Sequence, residues 1–152
     1  MARSPAKTRR LGAALGRVLR PGDFVGLVGD LGAGKTEFVR GVAAGAGVPV
    51  DEVASPTFAI VYPYRGRIPL HHADLYRLSD EDELYATGLS DLMGGESALL
   101  VEWIDRIWSA APKDRLEVRL TVRGAHARRL DASATGSSSR ALLDAWIRAT
   151  RR

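Results

Sequence analysis

The 152-residue chain contains no cysteine, so it can form neither a disulfide nor a thiolate metal site, and it has no cysteine nucleophile. It also lacks an apolar run long enough to span a membrane. Basic residues precede the mostly apolar residues 11–19, as in a signal peptide, but Arg17 interrupts that stretch and no small-residue cleavage pattern follows. The sequence therefore predicts a cytoplasmic protein, and its length predicts a single domain over residues 1–152.

The chain also has few lysines, since only three of its 22 basic residues are lysine and the others are arginine. With 18 acidic residues, the net charge is +4. Such a balance can indicate nucleic-acid binding. However, no basic run is interleaved with aromatic residues, and this favours a scattered arginine-rich surface over a nucleic-acid site.

The motif with the clearest chemistry lies at residues 29–36, which read GDLGAGKT and match the phosphate-binding pattern G-x-x-x-x-G-K-[ST]. Its glycines allow the backbone N–H groups to converge on phosphate oxygens. Lys35 can extend its charge towards the β- and γ-phosphates, and the Thr36 hydroxyl can ligate Mg²⁺. A helix that begins after Gly34 would direct the positive end of its dipole at the same anion. These residues predict a nucleotide site but do not identify the nucleotide.

The segments around this loop have the order that it requires. Phe24–Val28 is an apolar run typical of a strand, and residues 37–44 repeat apolar residues at helical spacing before a stop near residues 45–47. An earlier helix is predicted over residues 9–19, with Thr8 as its cap. Residues 57–64 and 68–74 are predicted to form a hairpin, and its prolines indicate that part of it lies at a sheet edge. The predicted fold class is α/β: a P-loop NTPase-like three-layer fold with a central mixed, mostly parallel sheet and an antiparallel hairpin.

The end of the chain is predicted to be a linker followed by a helix. Residues 135–139 are small and polar, as in a linker. In the helix that follows, Leu142, Leu143, Trp146 and Ile147 are predicted to face inward. The sequence assigns no role to residues 136–152.

A P-loop site needs a second Mg²⁺ anchor, usually a carboxylate at the end of a buried strand. Asp74 and Glu102 are the two candidates. Residues 68–74 include His71 and His72 and are half-polar, whereas Ala98–Glu102 is an uninterrupted apolar run that ends in an acid. The pattern favours Glu102 as the anchor. The two histidines are expected to serve packing or hydrogen bonding, because the chain has no cysteine and no second histidine pair to complete a metal cluster.

Four blocks of the sequence resemble one protein family. They are GDLGAGKT at residues 29–36, SPTF at 55–58, HADLYRL at 72–78, and EW at 102–103. In this order and at these spacings they resemble the bacterial TsaE (YjeE) family, over about residues 8–122. That family consists of small P-loop ATPases required to form threonylcarbamoyladenosine beside the anticodon of tRNA.

The resemblance implies the following cofactors, partners and site residues. The protein would bind ATP or ADP with Mg²⁺ and act with the proteins TsaB and TsaD, contacting tRNA only indirectly through their complex and not a membrane. The nucleotide would be bound by Gly29, Asp30, Leu31, Gly32, Ala33, Gly34, Lys35, Thr36, Glu37 and Trp103. Thr36 and Glu102 would hold the metal, and Thr57, Asp74 and Glu102 would be the catalytic residues, with Thr57 as a sensor of the γ-phosphate.

The chain departs from the family pattern at two places. Glu37 lies where the family commonly has Thr or Ser, and an acid there would weaken phosphate binding unless it points away along the helix. Ile104 and Asp105 replace the Pro-Glu that often follows Glu-Trp, so the path of that loop is expected to differ.

Two other functions are compatible with a P-loop. A small-molecule kinase would need an arginine-bearing lid and an acceptor pocket, and the sequence indicates neither. A GTP switch or nucleotide-gated binding module is disfavoured because there is no Asn-Lys-x-Asp guanine reader. Arg77 is a candidate for an arginine that reaches the transition-state charge, although a salt bridge to Glu81 or Glu83 is the more ordinary role.

Overall fold

A computed structural model describes residues 1–49, 52–53 and 61–152. Its helices and strands follow in the order α1 (Pro5–Val18), β1 (Phe24–Val28), α2 (Lys35–Gly45), β2 (Val61–Arg65), β3 (Pro69–Asp74), α3 (Glu81–Ala86), α4 (Leu89–Leu92), β4 (Ala98–Glu102), a 3₁₀ segment (Ile104–Ala110), β5 (Leu116–Val122), β6 (Arg128–Ala134) and α5 (Ser137–Thr150). None of these helices is both long and apolar enough to cross a membrane. Residues 57–60 of the predicted hairpin lie outside the described residues.

The six strands form one sheet in the order β2-β3-β4-β1-β5-β6. The four inner strands, β3, β4, β1 and β5, run parallel to one another. The edge strands β2 and β6 each run antiparallel to the strand beside them. This confirms the predicted mixed, mostly parallel sheet with an antiparallel hairpin. Pro63 lies on the edge strand β2, and Pro69 is the first residue of β3, so neither interrupts an inner strand.

Side chains from the two faces of the sheet form two hydrophobic clusters, which gives the fold three layers. On one face, Val25 and Leu27 of β1 pack with α1, α2 and α5. On the other face, Leu99 and Val101 of β4 pack with α3, α4 and the 3₁₀ segment. All five residues of β1 and of β4 are buried, as expected for central parallel strands covered on both faces.

The backbones of helices α1 and α2 pack directly against each other, because glycines line the contact between the two helices. A Cβ added at Gly12 would lie 2.4 Å from the Phe38 carbonyl oxygen, and one at Gly16 would lie 2.0 Å from that of Val42. On α2, a Cβ at Gly41 would lie 2.1 Å from the Arg9 carbonyl oxygen, and one at Gly45 equally close to that of Ala13. These positions admit no larger side chain without moving one helix.

Three local predictions were wrong. Helix α1 begins at Pro5 with Ser4 as its N-cap, since the Ser4 hydroxyl accepts from the Lys7 N–H at 3.1 Å, and Thr8 is buried inside the helix. Helix α5 begins inside the predicted linker, at Ser137. Ile147 is 41% exposed, although the other three predicted inward residues of α5 are buried.

The early start of α5 has a specific cause. The Asp114 carboxylate accepts hydrogen bonds from the backbone N–H groups of Ser138 and Ser139, at 2.9 and 3.0 Å. It therefore satisfies two of the donors that a helix leaves free at its first turn. The hydrogen bonds from Ser139, and to a smaller extent the one from the Ser138 N–H, hold the pKa of Asp114 below its usual range.

Candidate functional site

The GDLGAGKT segment forms the loop between β1 and α2. Gly34, at φ 99°, is the residue that precedes the helix, and Gly32 has φ 79°. Both are left-handed conformations that an L side chain would strain, so glycine is required at these turns. Lys35 follows at the first position of α2, where the unpaired N–H groups of the helix start and its positive dipole end favour an anion.

The Lys35 ammonium lies within the loop, and the whole residue is 6% exposed. It donates hydrogen bonds to the carbonyl oxygens of Gly29 and, at 3.1 Å, of Asp30. Burial lowers its pKa, and the nearby carboxylates of Glu102 and Asp74 oppose that effect. The charged lysine is thus positioned beside both acids that the sequence proposed as metal or catalytic residues.

Asp74 and Glu102 are directly opposite each other on neighbouring parallel strands, at the carboxyl ends of β3 and β4. Glu102 is also in register with Leu27, the residue before the end of β1. Both acids therefore lie at the carboxyl ends of the inner strands, on the side of the sheet where the P-loop begins. The sequence treated the two strands as competing candidates because β3 is half-polar. The structure brings both acids together, since β3 is also an inner parallel strand.

The two carboxylates differ in their surroundings. Asp74 is half-buried and accepts a hydrogen bond from the Tyr76 N–H at 2.9 Å. Burial raises the pKa of Asp74, and the charge of Glu102 raises it further against the lowering effects of that hydrogen bond, His72 and Lys35. Glu102 is 4% exposed, and its Oε2 lies 2.5 Å from His72 Nε2.

His72 orients Glu102 and is itself fully enclosed. The Tyr64 hydroxyl lies 3.4 Å from His72 Nδ1, so the ring is contacted through both nitrogens. His71 points to the other face, where its Nδ1 lies 2.9 Å from the Ser97 hydroxyl, and burial lowers its pKa. The expectation that these histidines serve hydrogen bonding is confirmed. Among the described residues, no group of three His, Cys, Asp or Glu side chains could hold a metal by itself.

The available ligands nevertheless fit Mg²⁺ bound together with a nucleotide. Magnesium prefers oxygen ligands and is commonly held by one or two carboxylates plus substrate phosphates, with waters in the remaining positions. The Thr36 hydroxyl, Asp74 and Glu102 supply oxygen ligands of this type. Of the two Glu102 oxygens, Oε2 is paired with His72.

Glu37 does not face the phosphate site. Its carboxylate forms ion pairs with Arg9 of α1 at 2.5 Å and with Arg40, one turn further along α2, at 2.8 Å. The Glu37 carboxylate therefore points away from the loop, and an acid at this position is compatible with phosphate binding. Any contribution of Glu37 to the cradle would come from its backbone N–H.

Trp103 covers Lys35 from the side of β4. Its ring centroid is 4.0 Å from the Lys35 Nζ, and it is the one non-glycine residue of positive φ (65°) among the described residues. Tyr76 packs against it at 5.0 Å between ring centroids, and Arg106 stacks near both rings and donates to the Tyr76 carbonyl at 2.6 Å. Backbone strain of this kind concentrates at functional sites.

The predicted salt bridge from Arg77 to Glu81 or Glu83 is not present in the described part of the chain. In the described residues, Arg77 is exposed and forms no ion pair, whereas Glu81 accepts from Ser109 and Glu83 accepts from Ser79. Arg106, which sequence reasoning did not single out, is instead the arginine that stacks near the Trp103 and Tyr76 rings. Its only sequence signal was its place three residues after Trp103, on the turn that follows β4.

Arg128 is a second residue that sequence reasoning missed. From β6 it donates to the carbonyl oxygens of Ala33 and Gly32, at 3.1 and 3.2 Å, and so holds the tip of the P-loop from outside. Two further bonds, to Gly124 and Ala127, fix the guanidinium. Nothing in the local sequence indicates this role, because Arg128 lies more than ninety residues from the loop.

We expect Arg128→Ala to weaken nucleotide affinity about tenfold, because two hydrogen bonds from a charged donor to the loop are lost and the loop becomes less ordered. Calorimetric titration with ADP measures this. Arg129→Ala is the matched control, since Arg129 neighbours it on β6, is exposed and pairs with Asp131. Equal affinities of the two variants would show that Arg128 does not support the loop.

A cavity of about 270 Å³ adjoins the P-loop on the side of β5. Gly29, Asp30 and Ala33 line it from the loop, and Arg119, Leu120, Thr121 and Val122 line it from β5. It is therefore continuous with the phosphate cradle and has both apolar and hydrogen-bonding walls.

The central strand, glycine loop and helix start, with two carboxylates at the ends of the adjoining strands, define a P-loop α/β protein. Comparison with known proteins gives the family. The family model described as "Threonylcarbamoyl adenosine biosynthesis protein TsaE" matches residues 2–130, and the chain belongs to this family.

Individual relatives agree. The chain is 38% identical to the tRNA threonylcarbamoyladenosine biosynthesis protein TsaE of Bacillus subtilis over 135 residues, which cover 88% of this chain and 84% of the relative. It is 44% identical to the protein of the same name from Streptomyces coelicolor over 116 residues, covering 74% and 77%. The crystal structure of Bacillus subtilis YdiB superposes with a TM-score of 0.79 at 31% identity, covering 95% of this chain and 90% of YdiB.

Proposed function

We propose that this protein binds ATP with Mg²⁺ and hydrolyses it as the nucleotide-dependent component of the machinery that forms threonylcarbamoyladenosine on tRNA, acting with TsaB and TsaD. The relatives are named for this tRNA modification. The observation that carries the proposal is the convergence of Lys35, Asp74 and Glu102 at one sheet edge beside the start of α2.

Each side chain has a role that follows from its position. The loop N–H groups and Lys35 would bind the phosphates, with Arg128 holding the loop in shape. Thr36 and Glu102 would hold Mg²⁺, and the ion would supply positive charge that offsets the charge of the phosphates. His72 would keep one oxygen of Glu102 fixed so that the other faces the metal.

Asp74 is proposed to act at the γ-phosphate. Its pKa, raised by burial and by Glu102, makes its carboxylate a stronger hydrogen-bond and proton acceptor than an ordinary aspartate. It would orient the attacking water. Thr57 is outside the described residues, and its role as a γ-phosphate sensor stays a prediction from the family motif.

The nucleoside would occupy the cavity between the P-loop and β5. It borders Gly29 and Asp30, next to where the phosphates would lie, and it encloses about 270 Å³. Arg119 and Thr121 would offer polar contacts at its wall. A kinase would require a second pocket for an acceptor at the γ-phosphate end, and no observation favours one.

The isolated chain is expected to hydrolyse ATP slowly, and TsaB and TsaD are expected to accelerate it. Fast hydrolysis needs an arginine at the transition-state charge, which is worth roughly 10³–10⁵ in kcat. Arg106 is engaged with the Tyr76 carbonyl and two aromatic rings, and Arg77 points to solvent, so a partner is expected to complete the site.

A steady-state phosphate-release assay, with and without TsaB and TsaD, tests this. Lys35→Ala should abolish the stimulated rate and tRNA modification by the assembled system. Rapid hydrolysis by the chain alone, unchanged by both proteins, would contradict the proposal and direct attention to a phosphate acceptor.

A further inference from the structure

A basic groove runs between α1 and the last turn of α5. It encloses about 240 Å³, and its walls include Lys7, Arg10, Ala14 and Arg17 of α1 together with Thr150 and Arg152 at the end of the chain. None of these residues belongs to the P-loop site. The groove is therefore a separate surface feature, for which the nucleotide site supplies no explanation.

The cations of this groove form one stripe. Lys7, Arg10 and Arg17 are spaced three and seven residues apart, so they lie on one face of α1 and span about 15 Å at 1.5 Å per residue. Arg152 faces them from the end of α5. At this one place, the basic residues are grouped and not scattered over the surface as the sequence predicted.

These four cations are not neutralised by close ion pairs in the described part of the chain. Each is exposed, and among the described residues none of them forms an ion pair. Helix α1 contains no acidic residue at all. The neighbouring Arg9 shows the contrast, because it turns the other way and pairs with Glu37 of α2. Uncompensated like charges at short spacing repel one another, and an external anion would relieve that repulsion.

The groove is held in place by packing. Trp146 of α5 donates its indole N–H to the Leu11 carbonyl at 2.9 Å and packs edge-on against Phe38 of α2, with the ring centroids 5.8 Å apart. Leu142 and Leu143 are buried beside it. Helix α5 lies beyond residues 2–130, which the family model matches, so one wall of the groove comes from outside the family-matched region.

We propose that this groove binds the phosphodiester backbone of a folded RNA, the tRNA on which the modification machinery acts. Guanidinium groups match phosphate oxygens in a two-bond fork, and a row of them along a helix follows successive phosphates. The small side chains Ala13 and Ala14 form the floor, which leaves room for a backbone between the cations. The inference goes beyond the ATPase proposal and requires no ATP hydrolysis, and it gives the chain a direct contact with tRNA in place of the indirect one that the family resemblance implies.

The test is fluorescence anisotropy of a labelled, unmodified tRNA transcript titrated with the full chain at several KCl concentrations. The variant Lys7→Glu/Arg10→Glu reverses two groove charges near the start of α1, where acids suit the helix dipole. Its control, Arg65→Glu/Arg140→Glu, makes the same charge change at two exposed arginines outside the groove. We expect the groove variant to bind at least tenfold more weakly, on the order of the loss of two phosphate contacts, with the salt slope reduced by about two. The control should stay within about twofold of the native chain.

ADP titration of the same proteins separates this inference from the nucleotide proposal, because both variants should keep native ADP affinity. If the glutamate variant fails to fold, Arg17→Gln/Arg152→Gln removes the other two charges with less perturbation and should give the same direction of change. Absence of saturable RNA binding, or equal losses in groove and control variants, would overturn the inference. So would a groove variant that keeps its RNA affinity but no longer co-elutes with TsaB and TsaD, which would make the groove a protein-docking surface.

Discussion

Lys35→Ala is expected to reduce ADP and ATP affinity by roughly 10- to 100-fold or more, because hydrogen bonds to charged groups contribute about 1.5–3 kcal/mol each. No other lysine can replace it, since Lys7 lies on α1 and Lys113 precedes β5. The measurement is calorimetric titration with ADP in the presence of Mg²⁺.

Two comparisons make this result specific. Lys113→Ala, which removes an exposed lysine away from the loop, should bind like the native chain. Lys35 also donates to the Gly29 and Asp30 carbonyls, so the thermal midpoint of Lys35→Ala should be measured without nucleotide to exclude unfolding. Native affinity in a folded Lys35→Ala protein would remove the P-loop from the proposed function.

Glu102→Gln is expected to leave metal-free ADP binding nearly unchanged and to abolish its strengthening by Mg²⁺. The amide keeps the size of the buried side chain and can still hydrogen-bond to His72, but it loses the charge that a hard cation requires. Asp74→Asn is the matched comparison, and it should reduce turnover more than Mg²⁺-linked affinity. Titrations with and without Mg²⁺, together with ATPase rates, distinguish the two acids.

The same variant gives a second readout in the metal-free protein. Burial raises the pKa of Asp74 most, and the Glu102 charge adds to it, so Glu102→Gln should move the Asp74 pKa downward. Carboxyl carbon chemical shifts followed over pH report this movement. If Mg²⁺-linked affinity were lost in Asp74→Asn and retained in Glu102→Gln, the roles assigned to β3 and β4 would have to be exchanged.

The parts of the fold that the sequence predicts are those set by local pattern. The strand Phe24–Val28, the helix start after Gly34 and the apolar strand ending at Glu102 all lie where their residues predict. Their periodicity and glycine positions act over a few residues, and the family motifs link them into one site.

Three of the missed features depend on residues far apart in the chain. Arg128 reaches the loop because β6 pairs with β5 beside β1, and Asp114 caps α5 from before β5. The side-by-side placement of Asp74 and Glu102 follows from strand order, which hydropathy cannot supply. The Ser4 cap was missed for a local reason, because Thr8 offers the same chemistry one turn later.

The glycine contact between α1 and α2 also constrains how the sequence can diverge. Gly12 and Gly16 face the α2 backbone, and Gly41 and Gly45 face that of α1, so a methyl group on either helix would push the other away. The helix carrying the basic stripe and the helix that begins at the P-loop are thus packed as one unit. A substitution in the stripe or in the loop leaves this contact intact, whereas a larger residue at one of these glycines requires a compensating change across it.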